Sequence, residues 1–200
     1  MIYTLDLLGI LAFAFYGAYL AQRQGFDLFG IGVTALVSSL GGGTIRDLLL
    51  NDLPVYFINY LYILAVIGGV VLSILTYKKF TQLQNAILYI DAIGLVTFAF
   101  IGAEKASNVG LGLLGILFFA TVSAVGGGIL RDVMLGRVPE IFYQDFYATP
   151  ALILGAGYYF LSSYLTTLFA VCVLLILVYL IRILAIYYKI QLWKPQKALL

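Results

Sequence analysis

The sequence predicts an all-α integral membrane protein with seven transmembrane helices, built as two inverted three-helix repeats plus one C-terminal helix. Composition predicts the membrane: 64% of the 200 residues are hydrophobic, 10% are charged, and the mean hydropathy is +1.08. A soluble domain is nearer half apolar and needs more charge to cover its surface. Segment length predicts the helices, and an internal duplication predicts how they are arranged.

Most of the apolar segments are long enough to cross a hydrocarbon core of ~30 Å, which takes about 20 helical residues. They lie near residues 4–22, 28–50, 60–77, 87–104, 110–134, 147–162 and 165–187. Nothing basic precedes the first segment, and Asp6 stands where a signal peptide would be positive, so we expect a mature helix there. The sixth segment is short, and the sequence leaves open whether it merges with the seventh.

The first half of the chain recurs in the second half at one constant offset, without a gap, so that Asp6 matches Asp91. The same offset carries Gly41–Gly43 onto Gly126–Gly128, and Arg46-Asp47 onto Arg131-Asp132. Three spanning segments per copy is an odd number, so the second copy enters the membrane from the opposite side. We therefore predict one transmembrane domain over 1–200, with repeat 1 at 1–84, repeat 2 at 85–164, and a seventh helix and tail at 165–200.

The distribution of lysine and arginine predicts the orientation. Seven of these residues fall on the side of the C-terminus, and only Lys105 is counted on the other. Positive loops stay cytoplasmic, so we expect a multi-pass protein of the inner or plasma membrane, with the N-terminus outside and the C-terminus in the cytoplasm. Tyr187, Tyr188 and Trp193 lie among lysines and are typical of an interfacial anchor. The seven lysines and arginines on the side of the C-terminus are Arg23, Lys78, Lys79, Arg137, Lys189, Lys194 and Lys197.

The paired glycine triplets lie inside the second and fifth segments. A glycine costs about 1 kcal/mol relative to alanine within a helix, so three in a row indicate a break or a sharp bend. Backbone groups freed by a break must face protein or water, and carbonyls near Leu40 and Val125 would then be available to a cation. The alternative is close helix packing, since glycine lets backbones approach. We interpret the triplets as helix breaks beside a pore.

The two Arg-Asp dipeptides place charge within apolar segments, where it usually lines a cavity or pairs inside the bundle. Neighbouring side chains on a helix point about 100° apart, so we hypothesise pairs between repeats, Arg46 with Asp132 and Arg131 with Asp47. Snorkelling of each arginine to the interface is the alternative.

Further polar and aromatic residues are candidates because the repeat duplicates them. Ser38 and Ser123 precede the triplets by one turn and can offer hydroxyls to a pore or bond to their own helix. Asp6 and Asp91 are interpreted as helix caps, and Glu104 with Lys105 as a snorkelling pair. The aromatic residues are candidates for a hydrophobic constriction, with helix packing as the alternative. They are Phe13, Phe15, Phe98 and Phe100.

Several classes of function find no support in the sequence. Histidine is absent and the single cysteine, Cys172, has no partner, so neither a metal site nor a disulfide is expected. No nucleophile motif or phosphate-binding loop occurs, so we expect no enzyme and no resident cofactor. Basic residues are scattered, which argues against nucleic acid as a partner.

The doubled Gly-Gly-Gly-x-x-Arg-Asp motif, with Pro54 and Pro139 after it, resembles the prokaryotic trimeric intracellular cation (TRIC-type) channels over nearly the whole chain. The resemblance implies a homotrimer with one pore per subunit, running between the second and fifth helices, bent at the glycines, and passing potassium or sodium. Membrane lipids, including a bound lipid, are the other partners expected. No Lys-Glu-Val motif matches the phosphoinositide site of the animal members.

We therefore predict a monovalent cation channel, with the Arg-Asp dipeptides near its pore. Related small bacterial membrane proteins are labelled glycine transporters, and a secondary transporter of glycine or another small amino acid is the alternative. A structural membrane protein without a pathway is a third interpretation, against which the costly buried charges argue.

Overall fold

The computed structural model describes residues 2–82, 84–142, 146–162, 164 and 168–190. Over these residues the chain forms seven α-helices and two short 3-10 helices. Six α-helices are long and apolar enough to cross a membrane, and the sixth in order, α6, is shorter. The elements are α1 (Ile2–Arg23), α2 (Leu28–Leu49), η1 (Val55–Phe57), α3 (Leu61–Gln82), α4 (Gln84–Asn108), α5 (Leu113–Met134), η2 (Glu140–Phe142), α6 (Thr149–Leu161) and α7 (Leu168–Tyr187).

The duplication read from the sequence holds for the backbone. Helices α2 and α5 begin and end at equivalent positions of the two repeats, and so do η1 and η2. The turn after α1 contains Gly25 at φ +77°, and the turn after α4 contains Gly110 at φ +78°, a left-handed conformation that favours glycine. Each repeat therefore has the same order: long helix, tight turn, long helix, 3-10 turn, third helix.

The bundle is centred on α1 and α4, which pack against each other. Each is flanked by the two other helices of its own repeat, and α2 and α5 pack together across the repeats. Within their apolar spans, 72% of α1 and of α4 is buried, against 28% of α3 and of α7. Helix α7 lies outside the repeat and packs on α4 and α6. The α1–α4 and α2–α5 contacts each join equivalent helices of the two repeats, so the pseudo-two-fold axis runs through both contacts.

Candidate functional site

The glycine triplets lie where α2 and α5 cross. A Cβ atom at Gly42 would overlap the main-chain oxygen of Ser123, and one at Gly127 would overlap that of Ser38. A Cβ at Gly126 would come within 3.2 Å of the Gly42 Cα. Only glycine permits two helix backbones to approach this closely. The first two glycines of each triplet, Gly41 and Gly42 in α2 and Gly126 and Gly127 in α5, thus allow α2 to pack on α5.

The expected helix breaks are wrong. Helix α2 stays helical from Leu28 to Leu49 and α5 from Leu113 to Met134, so neither ends at its triplet. The carbonyls near Leu40 and Val125 are therefore not the free ends of half-helices. Close packing of the glycines compensates their low helix propensity, and continuous helices keep the backbone groups bonded inside the hydrocarbon.

The third glycine of each triplet lies beside the arginine three residues later. A Cβ at Gly43 would lie 3.5 Å from Nη2 of Arg46, and one at Gly128 would lie 3.6 Å from Nη2 of Arg131. The side chains of these arginines fold back along their own helices. Both are buried, with exposures of 3% for Arg46 and 0% for Arg131. Snorkelling to the interface is therefore not what the structure shows.

Each arginine bonds to the aspartate that follows it, which contradicts the pairs expected between repeats. Nε of Arg46 lies 2.7 Å from Asp47 Oδ1, and Nε of Arg131 lies 2.8 Å from Asp132 Oδ1. The expected pairs are wrong because an arginine side chain is long enough to bend back across the angle between neighbouring positions of a helix. Moreover, Arg46 and Arg131 stand near opposite ends of the bundle, at the C-terminal ends of α2 and α5.

The first charged cluster, at the end of the bundle where α1 begins, joins α2 to α4. Lys105 donates to Asp47 at 2.8 Å and to the exposed Asp52 at 3.0 Å. The hydrogen bond and positive charge of Lys105 hold the pKa of Asp52 below its ordinary value. Lys105 is therefore bound to aspartates and is not the partner of Glu104 expected from the sequence. The cluster is defined by Asp6, Arg46, Asp47, Asp52, Tyr62 and Lys105.

A small cavity lies beside the first charged cluster. Its volume is about 20 Å³, and its lining includes Asp6, Arg46, Val55 and Phe98. Nη1 of Arg46 is buried there without a hydrogen-bond partner among the described residues. A space of this size holds about one water molecule. The cavity is thus a polar recess inside the apolar bundle.

The second charged cluster, at the opposite end of the bundle, is larger. Arg131 faces three carboxylates, bonding Asp132 and lying 3.7 Å from Asp91 Oδ1 and 3.5 Å from Glu140 Oε2. Its guanidinium also stacks 4.4 Å from the centre of the Tyr16 ring. Arg137 bonds both Asp132 and Glu140 at 2.7 Å. The cluster is defined by Tyr16, Asp91, Arg131, Asp132, Arg137, Glu140, Tyr147 and Arg182.

Arg137 lies in the segment after α5 and belongs to this cluster although the sequence indicated only an interfacial charge. Burial opposes its charge, but the carboxylates of Glu140 and Asp132 raise the pKa of Arg137 above its ordinary value. Arg137 therefore stays charged at physiological pH and neutralises two buried acids.

Asp6 and Asp91 are equivalent residues that bond a tyrosine instead of capping a helix. Asp6 lies inside α1 and accepts from Tyr62 at 3.0 Å, and Asp91 lies inside α4 and accepts from Tyr147 at 3.4 Å. The capping interpretation was wrong because both helices begin earlier than the hydropathy suggested. Tyr62 and Tyr147 are related by the same offset as the two aspartates, a match that sequence reasoning missed.

Arg182 is the main site residue that sequence reasoning missed. It lies inside α7, 2% exposed, and donates from Nη1 to the main-chain oxygen of Phe146 at 3.1 Å. Its guanidinium lies 5.0 Å from the centre of the Tyr147 ring. An arginine in the middle of a strongly apolar helix is itself the signal that could have identified it.

The structure separates the four phenylalanines into two kinds. Phe13 and Phe98 meet edge to face across the pseudo-two-fold axis, with ring centres 5.2 Å apart. Phe15 packs instead on Phe80, and Phe100 packs on Tyr158. Only the Phe13–Phe98 pair therefore lies at the contact between α1 and α4, and its role as a constriction stays a prediction.

Ser38 and Ser123 are buried against glycines of neighbouring helices. A Cβ at Gly17 would lie 3.1 Å from Ser38 Oγ, and Ser123 Oγ lies against Gly102 in the same way. Neither hydroxyl has a hydrogen-bond partner among the described residues, whereas Ser39 bonds back to Ala35 at 2.8 Å. These two hydroxyls remain candidates for a pore lining at the helix crossing.

Together, these features define a multi-pass membrane protein of two inverted repeats, with buried ionic clusters at both ends of a glycine-packed central helix pair. A family model described as "Glycine transporter" matches residues 3–78 and 88–163, one copy for each repeat. The chain belongs to this family. The second matched range is the first one displaced by the offset of the repeat, in agreement with the duplication.

Curated relatives share most of the chain. It is 35% identical over 200 residues to the UPF0126 inner membrane protein YadS of Escherichia coli strain K12, covering 96% of this chain and 95% of YadS. It is 40% identical over 159 residues to a UPF0126 membrane protein of Deinococcus radiodurans, covering 78% of this chain and 74% of that protein.

Several solved structures of TRIC channels resemble this chain. A chain from work on conductance through TRIC cation channels is 34% identical, with a TM-score of 0.88, covering 98% of this chain and 97% of that one. A prokaryotic TRIC channel crystallised in 0.5 M KCl is 32% identical, also with a TM-score of 0.88, and the match covers 96% of this chain and 98% of that one. The TRIC trimeric intracellular cation channel orthologue from Rhodobacter sphaeroides is 30% identical, with a TM-score of 0.86, covering 94% and 98%.

Proposed function

We propose that this protein is a channel for monovalent cations, potassium or sodium, with one passage in each subunit of a homotrimer in the inner membrane. The observation that carries the proposal is the full-length likeness to TRIC cation channels, at sequence identities of 34%, 32% and 30%. A channel of this kind is not an enzyme, and it needs only the permeant ion and the surrounding lipid.

The geometry supports a passage alongside α2 and α5 that joins the two charged clusters. Acidic oxygens of Asp47 and Asp6 lie at one end, and those of Asp132, Asp91 and Glu140 lie at the other. Charged rings at both ends of a pore concentrate counter-ions and shape the field across it. Ser38, Ser123 and the Phe13–Phe98 pair lie between the clusters and would line the narrow part.

The described conformation is a closed one for this function. The recess beside the first cluster has room for about one water molecule, and the α2–α5 crossing is tightly packed. We infer that opening bends α2 and α5 at the glycine triplets, where helix propensity is lowest. Such a bend would separate the backbones at Gly42 and Gly127 and let water reach the buried arginines.

Planar bilayer recording of the purified protein tests the proposal. In a potassium chloride gradient we expect unitary currents whose reversal potential lies toward that of potassium, and similar currents with sodium. Asp132→Asn should alter conductance by removing a charge from the passage, and Leu114→Ala, on a lipid-facing side chain 82% exposed, should leave it unchanged. Native mass spectrometry of the same sample should give a trimer.

Glycine transport is the outcome that would replace this proposal. The family description suggests it, but the recess beside the first cluster is too small for an amino acid in the described conformation. Saturable uptake of radiolabelled glycine into proteoliposomes, without unitary currents in bilayers from the same preparation, would overturn the channel proposal.

A further inference from the structure

The two charged clusters occupy equivalent places but do not contain equivalent residues. Glu140 opens η2 in repeat 2, and the corresponding residue of η1 in repeat 1 is Val55. Tyr16 of α1 contacts the second cluster, and its counterpart in α4 is Ile101. The two repeats therefore differ at these positions. One end of the bundle has a carboxylate and a phenol, and the other has two aliphatic side chains.

Glu140 connects three separate parts of the chain. Its Oε1 accepts from Tyr16 of α1 at 2.7 Å and from Arg137 at 2.7 Å, while its Oε2 lies 3.5 Å from Nη2 of Arg131 in α5. Its main-chain nitrogen donates to Asp132 at 2.9 Å. The carboxylate is 4% exposed, so these contacts are made away from bulk water and are stronger than surface contacts.

At the other end of the bundle, Val55 can form none of these bonds. It lines the recess of about 20 Å³ beside Arg46. Helix α1 contributes Asp6 to the first cluster, where Asp6 accepts from Tyr62 of α3. Among the described residues, Asp6 makes no ion pair with Arg46, unlike Glu140 with Arg131. The two clusters therefore differ in how α1 is connected: Glu140 links Tyr16 of α1 to Arg131 of α5 at the second, and Val55 stands in the equivalent place at the first.

We propose that Glu140 and Tyr16 form an ionic latch that holds the second-cluster end of the passage closed. While the latch is formed, α1 cannot separate from the C-terminal end of α5. Opening requires Tyr16 and Arg137 to release Glu140, while Arg131 keeps its bond to Asp132. The first cluster has Val55 in place of Glu140, so the proposed latch belongs to the second-cluster end alone. The proposal rests on the proposed channel function and identifies its gate.

The test compares three substitutions. Tyr16→Phe removes one hydroxyl and keeps the ring under Arg131, so the fold is retained. Glu140→Val installs the residue of the other repeat. Glu104→Gln is the matched control, because Glu104 is a half-buried carboxylate at the opposite end of α4 that belongs to neither cluster.

We expect two effects from breaking the latch. Amide hydrogen exchange in a peptide covering 129–142 should be about tenfold faster in Tyr16→Phe, since a hydrogen bond to a buried charge is lost, and faster still in Glu140→Val. Open probability in bilayers should rise by a similar factor in both variants. Glu104→Gln should match the wild type in exchange and in open probability.

Failure of the latch and failure of the channel give different results. Unchanged exchange in Tyr16→Phe and Glu140→Val, or faster exchange with unchanged open probability, would overturn the latch while the wild type still conducts. A wild type that never conducts would overturn the channel function, and the gate with it. If Glu140→Val does not fold, Tyr16→Phe alone tests the latch.

Discussion

Single glycines determine how closely the two central helices approach. Gly42 and Gly127 each lie against the main-chain oxygen of a serine on the other helix, and there is no space for a Cβ atom at either position. The serines are the pseudo-symmetric pair Ser123 and Ser38. Because the obstructing atoms belong to backbone, a larger residue cannot be accommodated by a change of rotamer. The contact therefore depends on glycine itself.

Gly127→Ala should destabilise the protein by about 1–3 kcal/mol, because the added methyl group must push α5 away from the Ser38 carbonyl. Gly32→Ala is the control, since a Cβ at Gly32 in α2 meets no atom within 4 Å. Alanine there should be neutral or slightly stabilising through its better helix propensity. Thermal unfolding in detergent, followed by helical circular dichroism, measures both. Equal melting temperatures for the two variants would contradict the tight crossing.

Arg46 and Arg131 are tolerated inside the bundle because a carboxylate lies within reach of each. Arg131 is fully buried but faces Asp91, Asp132 and Glu140. Removing one partner of such a network leaves an uncompensated charge in a poorly solvating interior. The cost of these two charges explains why they stand near helix ends, where the chain after α5 supplies Glu140 to Arg131.

At the scale of elements, α7 is tied to the repeat by Arg182. The helix has no counterpart in the duplication, and only 28% of its apolar span is buried within the chain. Arg182 nevertheless reaches the main-chain oxygen of Phe146 and the face of Tyr147, which donates to Asp91. The seventh helix thus takes part in the second charged cluster.

Arg182→Ala should loosen α7 and destabilise the protein by about 1–3 kcal/mol, the value of a charged hydrogen bond and a cation–π contact. Hydrogen exchange in α7 should become faster. Leu184→Ala is the control, because Leu184 is on the same helix and exposed to lipid. If α7 exchanged equally fast in both variants, Arg182 would not be its anchor.

Helices α3 and α6 are equivalent in the repeat but pack differently. Gly155 lets α6 lie against Leu117 and Ala120 of α5, whereas the matching residue of α3 is Val70. A groove of about 660 Å³, lined by Val70 and by Gly32 of α2, separates α3 from α2. Its lining is apolar and faces outward, so we expect lipid acyl chains to fill it.

For the whole molecule, the inverted repeat places the two charged clusters on opposite sides of the membrane. The first lies on the side where α1 begins, and the second on the side where α5 ends. From the distribution of lysine and arginine we expect the second cluster to lie on the cytoplasmic side. The proposed latch would then respond to the cytoplasmic side.

Reporter fusions test this orientation. A green fluorescent protein fused after residue 200 should fluoresce, because it folds only in the cytoplasm, and alkaline phosphatase fused at the same place should be inactive. Fusions in the turn around Gly110 should show the reverse pattern, since α4 ends on the other side. An active phosphatase at the C-terminus would contradict the orientation. Trp193, Lys194 and Lys197, expected to anchor this end, lie outside the described residues.

The sequence by itself determined the membrane environment, the seven segments and the duplication. Hydropathy reports the solvent that a segment needs, and the constant offset between the repeats is visible as identical letters, so neither requires knowledge of contacts. The structure extends the duplication to the turns, where Gly25 and Gly110 stand at equivalent positions with the same left-handed conformation.

Only the tertiary structure decided what the motif residues do. A glycine triplet can break a helix or pack against another, and the choice depends on whether a second backbone lies within reach, as Ser123 does for Gly42. The partners of Arg131 likewise depend on helix depth and on residues distant in sequence, Tyr16 and Glu140 among them. A local sequence pattern shows which chemical groups are present, and the tertiary structure determines which of them are in contact.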